Sequence, residues 1–434
     1  MDIIEIINKK KEGKILNKEE IEFTIQGYIN KEIADYQMSS LLMAICINGM
    51  TDEETINLTN SITKTGEQFD LSKVKEITVD KHSTGGVGDK VTLILLPIMA
   101  SLDIPMIKMS GRGLGFTGGT ADKLESIENF KMNYTLEEAI DMANKYKVCQ
   151  MTQSEKMCLA DKEIYSLRSV TGTVDSIPLI ASSIMSKKLA CGCDKILLDV
   201  TCGNGAFMSN IEEARKLAKL MVDIGNGNNK ETIAVVTNMD EPLGKTIGNS
   251  LEIIETIEFL KGRCEEDVLE VIKTIGAYII YLANKGGNIE ENKELIERQI
   301  YNGNAYKKFQ EWIEIQGGNI NQINDISLLP KAKNILAIKS PNTGYISKIK
   351  ASQLGYTLID LGGGRKKKND EIDYGVGIVL NYKVSDFVKE GDILCYVHIN
   401  DLLIKDQIEK KIIDAYEFSD KQIDKPTMIL DIIK

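Results

Sequence analysis

Apolar positions recur at helical spacing through the first 66 residues, and beyond them the pattern changes to short β-like runs that each end in glycine. In the first region Ile33, Met38, Leu41, Leu42 and Ile45 share one helical face, and Gly49 ends the run. Asn17 with Glu20 and Thr51 with Glu54 fit capping boxes, in which a cap side chain and an acid three residues on satisfy the free amides of a helix start. Residues 1–66 are thus predicted helical, with a face broad enough to pack in a core or against a partner. After a polar connector at 66–73, Val74, Ile77 and Val79 lead to a first glycine turn. Ile104, Met106, Ile107 and Met109 lead to a second, and Ile196–Met208 holds a third. Thr135 with Glu138 begins a capped helix. Asp161–Leu189 reads as two helices broken near Gly172, the second capped by Ser176 with Pro178 in its first turn. Ser209 with Glu212 predicts another capping box, Ile233–Thr237 a fourth strand, and 264–316 a mainly helical stretch with Ile275–Ala283 buried. From Leu336 onward the runs IKSPNTGYISKIK, GYTLIDLGGG, VGIVLNYKV and GDILCYVHI are separated by Gly and Asn, which predicts a small β-rich unit. The hairpin-like VKEGDILCYVHI lacks the MKM lysine of a lipoyl carrier, and His398 reads as a strand residue.

The first two glycine turns carry the candidate chemistry. They lie in KHSTGGVGDKVTLILLPIMASLDIPMIKMSGRGLGFTGGTADKLE, residues 81–125. A strand, a glycine loop and a helix start together aim backbone N–H groups and the positive helix end at one point, which suits phosphate. Glycine lets the backbone approach closely and adopt positive φ. Lys81, Ser83, Thr92, Lys108, Ser110 and Thr120 add charge and hydroxyl donors, and the acids within the loops are Asp89 and Asp122. Tight turns in an α/β sheet are the plainer explanation, but both turns are preceded by Lys and Ser.

Composition narrows the classes. Hydrophobic content of 43% and charged content of 27% over 434 residues are those of a soluble globular protein large enough for two or three domains. The longest apolar runs, such as Val91–Ala100, are too short to span a bilayer, and MDIIEIINKKKEG lacks a secretory pattern, so a cytoplasmic protein is expected. A net charge of −11 disfavours a nucleic-acid surface. The basic run Arg365–Lys368 reads as a solvated turn beside the acidic 369–373. Eight dispersed cysteines without zinc spacing suit free thiols, and two histidines exclude a His-rich metal site.

The runs SGRGLGFTGGTADKLE (110–125) and DKHSTGGVGD (80–89) closely resemble the signatures of the pyrimidine nucleoside phosphorylase family, which includes thymidine phosphorylase, and the resemblance extends over residues 15–430. It implies an α/β (α+β multidomain) fold. A small helical lobe comprises 1–66 completed by 159–191. A larger α/β phosphate-binding lobe with a mixed sheet comprises 67–158 continued by 192–330, and a C-terminal β-rich domain comprises 336–434. The implied phosphate residues are Lys81, Ser83, Thr92, Lys108, Ser110 and Thr120. The implied nucleobase and catalytic residues are His82, Arg168, Ser183 and Lys187, with Tyr165 and Ile180 completing the substrate pocket. The helical lobe would carry a homodimer contact. No cofactor is implied beyond phosphate as co-substrate. A monovalent-cation site of the family maps to Gly88, Lys90, Leu243, Thr246 and Glu255, but Lys90 stands where Thr is usual, so its ammonium is expected to replace the ion and pair with Glu255. Other departures are Phe116 for His, Ser169 for Asp, Gly172 for Ala, Thr201 for Lys and Leu159 for Pro.

The chemistry implied is attack of phosphate on the sugar carbon of uridine, thymidine or deoxyuridine, with fixed donors stabilising the charge on the departing base. KMSGR (108–112) is more like the broad-specificity branch than the enzymes restricted to 2′-deoxynucleosides. A phosphoribosyltransferase would need an acidic magnesium–pyrophosphate motif where these loops carry Lys and Ser. A catalytically silent nucleoside-binding regulator need not retain every matched position. A dinucleotide enzyme is disfavoured because GRGLGFTGG is not GxGxxG.

Overall fold

The computed structural model describes residues 1–434 except Leu114, Gln153, Glu155, Lys368 and Asn369. Helices α1 (Ile3–Lys11), α2 (Lys18–Ile29), α3 (Asp35–Asn48) and α4 (Asp52–Thr63) occupy the N-terminal region. Both predicted capping boxes there are formed: Glu20 N–H donates to Asn17 Oδ1 at 2.8 Å and Glu54 N–H to Thr51 Oγ1 at 3.1 Å. The α/β region follows as β1 (Val79–Ser83), α5 (Val91–Ser101), β2 (Met106–Ser110), α6 (Thr120–Leu124), α7 (Leu136–Tyr146) and β3 (Val148–Thr152). It continues with α8 (Leu159–Thr171), α9 (Ile177–Ala190), β4 (Lys195–Cys202), α10 (Ile211–Gly227) and β5 (Thr232–Asn238). A two-residue strand β6 (Thr246–Ile247) precedes the helices α11 (Asn249–Leu260), α12 (Glu266–Leu282), α13 (Ile289–Tyr301), α14 (Asn304–Ile315) and α15 (Ile320–Asn324).

Strands β1, β4 and β5 run parallel, and a separate parallel pair joins β2 to β3. Alternation along β4 divides the two layers. Ile196, Leu198 and Val200 pack in one core with α1–α4, α8, α9 and α10, whereas Leu197 packs in a second core with α5 and α11–α14. The helical lobe is therefore built from two sequence-distant pieces. Thr59 of α4 and Ser182 of α9 meet through their hydroxyls at 3.1 Å. No helix among the described residues is long and apolar enough to cross a membrane.

The C-terminal region contains β7 (Asn334–Lys339), β8 (Gly344–Ile349), α16 (Ala351–Asp360), β9 (Gly377–Leu380), β10 (Phe387–Val388), β11 (Ile393–Ile399), α17 (Lys405–Ile413), β12 (Tyr416–Ser419) and β13 (Ile429–Ile433). His398 lies on β11 as read from the sequence. Four local expectations differ. GYTLID (355–360) forms the end of α16, because Leu354 and Leu358, four residues apart, bury one helical face. The helix after β4 is capped by Asn210, whose side chain accepts from Glu213 N at 2.9 Å, one residue beyond the expected Ser209 box. Ser176 precedes α9 but makes no side-chain cap. Arg365 is not part of a solvated turn; it pairs with Asp122 at 2.9 Å, while Lys368 at the end of that basic run lies outside the described residues.

The expected C-terminal boundary is also crossed twice. β6 joins the β9–β11–β7 sheet, and β13 returns to pair antiparallel with β5 of the central sheet. Arg215 of α10 further holds Asp431 of β13 at 2.7 Å. Truncation after Lys425 removes β13 and bares the β5 edge, so it should lower Tm by several degrees and promote aggregation. An unchanged melting curve in differential scanning calorimetry would show the strand to be dispensable.

Candidate active site

The first glycine loop leaves β1 and returns into α5. Thr84 N–H donates to Asp199 O at 3.0 Å, and Gly85 N–H to Ser83 Oγ at 3.1 Å. Thr201, the departure noted on β4, accepts Thr84 at 2.8 Å and donates to Gly85 O, tying loop to sheet without a charge. Gly88 has φ +77°, and a Cβ there would stand 2.6 Å from Leu243 O. The second loop connects β2 to α6. Asp122 organises it by accepting from Gly113 N at 2.7 Å and pairing with Arg112 at 3.2 Å. A Cβ at Gly119 would lie 2.1 Å from Gly113 N, so the loop can fold back on itself only with glycine there.

Between the loops lies a cavity of about 250 Å³. Ser83, Thr92, Lys108, Ser110 and Thr120 line it, as does His82. From α9 come Lys187 and Lys188, followed by Cys191. Lys81 does not line it. His82 and Lys81 point to opposite faces of β1, and the Lys81 ammonium lies beneath the loops, 2.9 Å from Asp199 and 1% exposed.

The second cavity, of about 440 Å³, shares Arg112, Gly113, Met157 and Lys187 with the first and is further lined by Tyr165 and Asp161. Lys187 thus stands between the two. Its ammonium pairs with Asp161 and donates to Ser183 Oγ at 3.1 Å. Ile180 is half-buried against the helical core and lines neither cavity. Arg168 also lines neither. Its guanidinium, 2% exposed, donates to Thr173 O at 3.0 Å, Leu179 O at 3.0 Å and Val174 O at 2.7 Å. Those bonds fix the turn between α8 and α9. The Ser169 hydroxyl bonds Ser166 O instead, so the acid missing beside Arg168 is not needed to orient it.

Sequence reasoning overlooked Asp80, Asp161 and Lys188. Asp161 had a visible signal, since Asp161, Tyr165 and Arg168 follow one helical face at spacings of four and three. Asp80 and Lys188 had none, because their 2.6 Å contact joins strand to helix across 108 residues.

Burial and the surrounding positive charge decide the protonation states. Burial, then Lys188, Lys108, Lys81 and Lys187, push His82 well below the usual imidazole range, so it is neutral at neutral pH. Burial, then the Lys188 charge, lower Lys108 to about 8, with Asp80 opposing. Burial raises Asp89, but Lys81, Lys123 and the Ser83 hydroxyl outweigh it and keep the carboxyl below its ordinary value.

Three family descriptions match the chain in succession: the helical bundle domain of a glycosyl transferase family at residues 4–66, its a/b domain at 75–306, and the pyrimidine nucleoside phosphorylase C-terminal domain at 345–419. Over 433 residues, with full coverage of both chains, the sequence is 48% identical to a pyrimidine-nucleoside phosphorylase of Staphylococcus haemolyticus and 46% identical to one of Geobacillus stearothermophilus. The chain belongs to the pyrimidine-nucleoside phosphorylase family.

An anthranilate phosphoribosyltransferase of Thermus thermophilus shares the fold, with a TM-score of 0.56 at 15% identity over 73% of this chain and 99% of that one. In this phosphorylase-family chain Phe116 stacks obliquely on Phe207 and Tyr356, with ring centroids 5.9 and 5.3 Å away, and so ties the second glycine loop to the C-terminal helix α16. Lys90 is fully buried. Its ammonium lies 3.1 Å from Glu255 and donates to Leu243 O at 2.5 Å. The expected Lys90–Glu255 contact is therefore present, and a solvent-directed Lys90 is excluded.

Arg168→Ala should destabilise the protein by roughly 2–4 kcal/mol in urea unfolding, because three carbonyls lose a charged donor in a buried site. Wild-type stability in this variant would refute the anchoring role.

Proposed function

We propose that the chain catalyses reversible phosphorolysis of pyrimidine nucleosides, uridine, thymidine and deoxyuridine among them, to the free base and (deoxy)ribose 1-phosphate. The observation that carries this reading is the convergence of both glycine loops on one cavity whose other wall supplies Lys187 from the helical lobe. Phosphate is held by Ser83, Thr92, Lys108, Ser110 and Thr120, with Lys81 reinforcing the positive field from beneath. The nucleoside enters along Tyr165 and Lys187. The C–N bond to the base breaks as a phosphate oxygen bonds to C1′ from the opposite face, and the electron pair departs with the base. Lys187, preorganised by Asp161 and Ser183, stabilises that charge where it develops. Neutral His82 donates or accepts a hydrogen bond at the base without adding a second charge. Arg168 acts from behind, through the turn that positions Leu179 and α9.

The reaction as proposed uses no cofactor other than phosphate. Lys90 takes the place of a monovalent cation, its ammonium supplying the positive charge that Leu243 O and Glu255 Oε2 would otherwise receive from the ion. The broad substrate range is favoured over a 2′-deoxynucleoside enzyme by Lys108 of the KMSGR run, which lines the cavity. Tyr36, Met43, Ile47 and Val170 expose apolar surface on α3 and α8, which supports a homodimer through the helical lobe. A cytoplasmic location accords with the free thiols.

Uridine with phosphate should release uracil, and arsenate should substitute for phosphate and give net cleavage. Lys187→Ala should lower kcat by on the order of a hundredfold. Equal cleavage with no oxyanion present would make the protein a hydrolase. At constant ionic strength, exchanging sodium for potassium should leave kcat/KM unchanged; a steep rise with potassium would rule out the substitution by Lys90.

A further inference from the structure

Behind the anion cavity, Asp80 of β1 is 2% exposed and lines no part of the cavity itself. Its Oδ2 lies 2.6 Å from the ammonium of Lys188 on α9. Its Oδ1 lies 3.7 Å from the ammonium of Lys108 on β2 and has no hydrogen-bond partner. Lys108 donates to Met109 O at 2.6 Å instead. Two ammonium groups therefore share one carboxylate, and both lysines face the cavity. Among the described residues, no carboxylate other than Asp80 pairs with Lys108 or Lys188. On β1, Lys81 is matched by Asp199 of β4 and His82 is neutral. On α9, Lys187 is matched by Asp161 of α8. The Cys191 thiol is pushed up to about 11 by burial and stays protonated. Asp89 lines the cavity from the first glycine loop as a carboxylate bonded to Ser83, and it shares Lys81 with Asp199 and Lys123 with Glu252.

We infer that Asp80 is a positioning residue for the oxyanion co-substrate: shared between Lys188 and Lys108, it fixes Lys188 and keeps Lys108 charged toward the cavity. This rests on the phosphorolysis reading. With Asp80 present, the surplus charge on this wall is one, available to an incoming anion. Without it, two like charges face each other in a buried place and Lys108 is the one to lose its proton. Without Lys188, the carboxylate is left to Lys108 alone, which then holds its proton more tightly. The two removals push the Lys108 titration in opposite directions, which a merely structural role for either residue does not predict.

The test is KM for phosphate as a function of pH with uridine saturating, for the wild type, Asp80→Asn, Asp80→Glu and Lys188→Met. Ionisation of phosphate itself is common to all four, so differences between profiles report the protein. KM should rise in the wild type as pH passes the Lys108 value of about 8. In Asp80→Asn this rise should begin about one pH unit lower or more, and in Lys188→Met it should begin higher. Asp80→Glu should keep the wild-type position even if kcat falls. At pH 6.5, where Lys108 is charged in the wild type, Asp80→Asn should alter KM more than kcat. Profiles of Asp80→Asn and Lys188→Met that coincide with the wild type, or move the same way, would overturn the inference while leaving phosphorolysis intact. Should Asp80→Asn not fold, Asp80→Ser takes its place, and a KM profile for it that coincides with the wild type would overturn the inference. A wild type with no oxyanion-dependent cleavage would sink both readings.

Discussion

The site depends on pairing buried lysines with buried carboxylates beneath the glycine loops. Lys81 with Asp199, Lys188 with Asp80, Lys90 with Glu255 and Lys123 with Glu252 all lie within 3.1 Å, and each lysine is nearly or wholly buried. Pairs of this kind add little net stability over apolar packing, but breaking one leaves an uncompensated charge and costs about 3–5 kcal/mol. Their consequence is specificity of position. The glycines of a loop have no side chains to hold them, so its course is set by what its carbonyls and neighbouring residues are bonded to. Lys123 donates to Asp89 O at 2.5 Å and the neighbouring Lys90 donates to Leu243 O, which fixes the end of the turn that enters α5.

The same logic ties the C-terminal region to the site. The segment 241–246 passes between two lysines. Lys90 approaches it from the loop side, and Lys383 donates to Pro242 O at 2.6 Å and Gly244 O at 3.1 Å while pairing with Asp267 at 2.6 Å. Gly355 on α16 meets the second glycine loop so closely that a Cβ would stand 2.4 Å from Phe116 O. The C-terminal β-rich unit is therefore a support for both loops, and it shares β6 with the chain that precedes it.

Local signals were legible in the sequence and long-range ones were not. The capping boxes at Asn17, Thr51 and Thr135 involve side chains three residues apart, and all three form as read. Glycine loops follow strands because turn chemistry is local as well. GYTLID was misread because a short apolar run fits either period, and burial of Leu354 and Leu358 decided for helix. β13 was unreadable as part of the central sheet, since its partner β5 lies nearly 200 positions earlier and an edge strand is defined by what it pairs with. Lys81 and Arg168 carried the family motif, yet a motif gives identity and not direction. One lies under the loops and the other behind the turn between α8 and α9, each bonded to groups that no spacing rule names.

Helix α9 joins these threads. Adjacent residues on a helix diverge by about 100°, so Lys187 and Lys188, although both line the first cavity, reach different partners. Lys187 turns toward Asp161 within its own lobe and stands between the two cavities. Lys188 turns toward Asp80 on the sheet of the other lobe. One helix end therefore presents one charge between the two cavities and another at the wall of the first. The first is held by contacts inside the helical lobe, including the turn that Arg168 secures. The second is held by a contact between lobes. A change in lobe orientation would leave the Lys187 donor set intact and alter the Lys188–Asp80 distance, so in this architecture the anion wall is the part whose charge is coupled to lobe position.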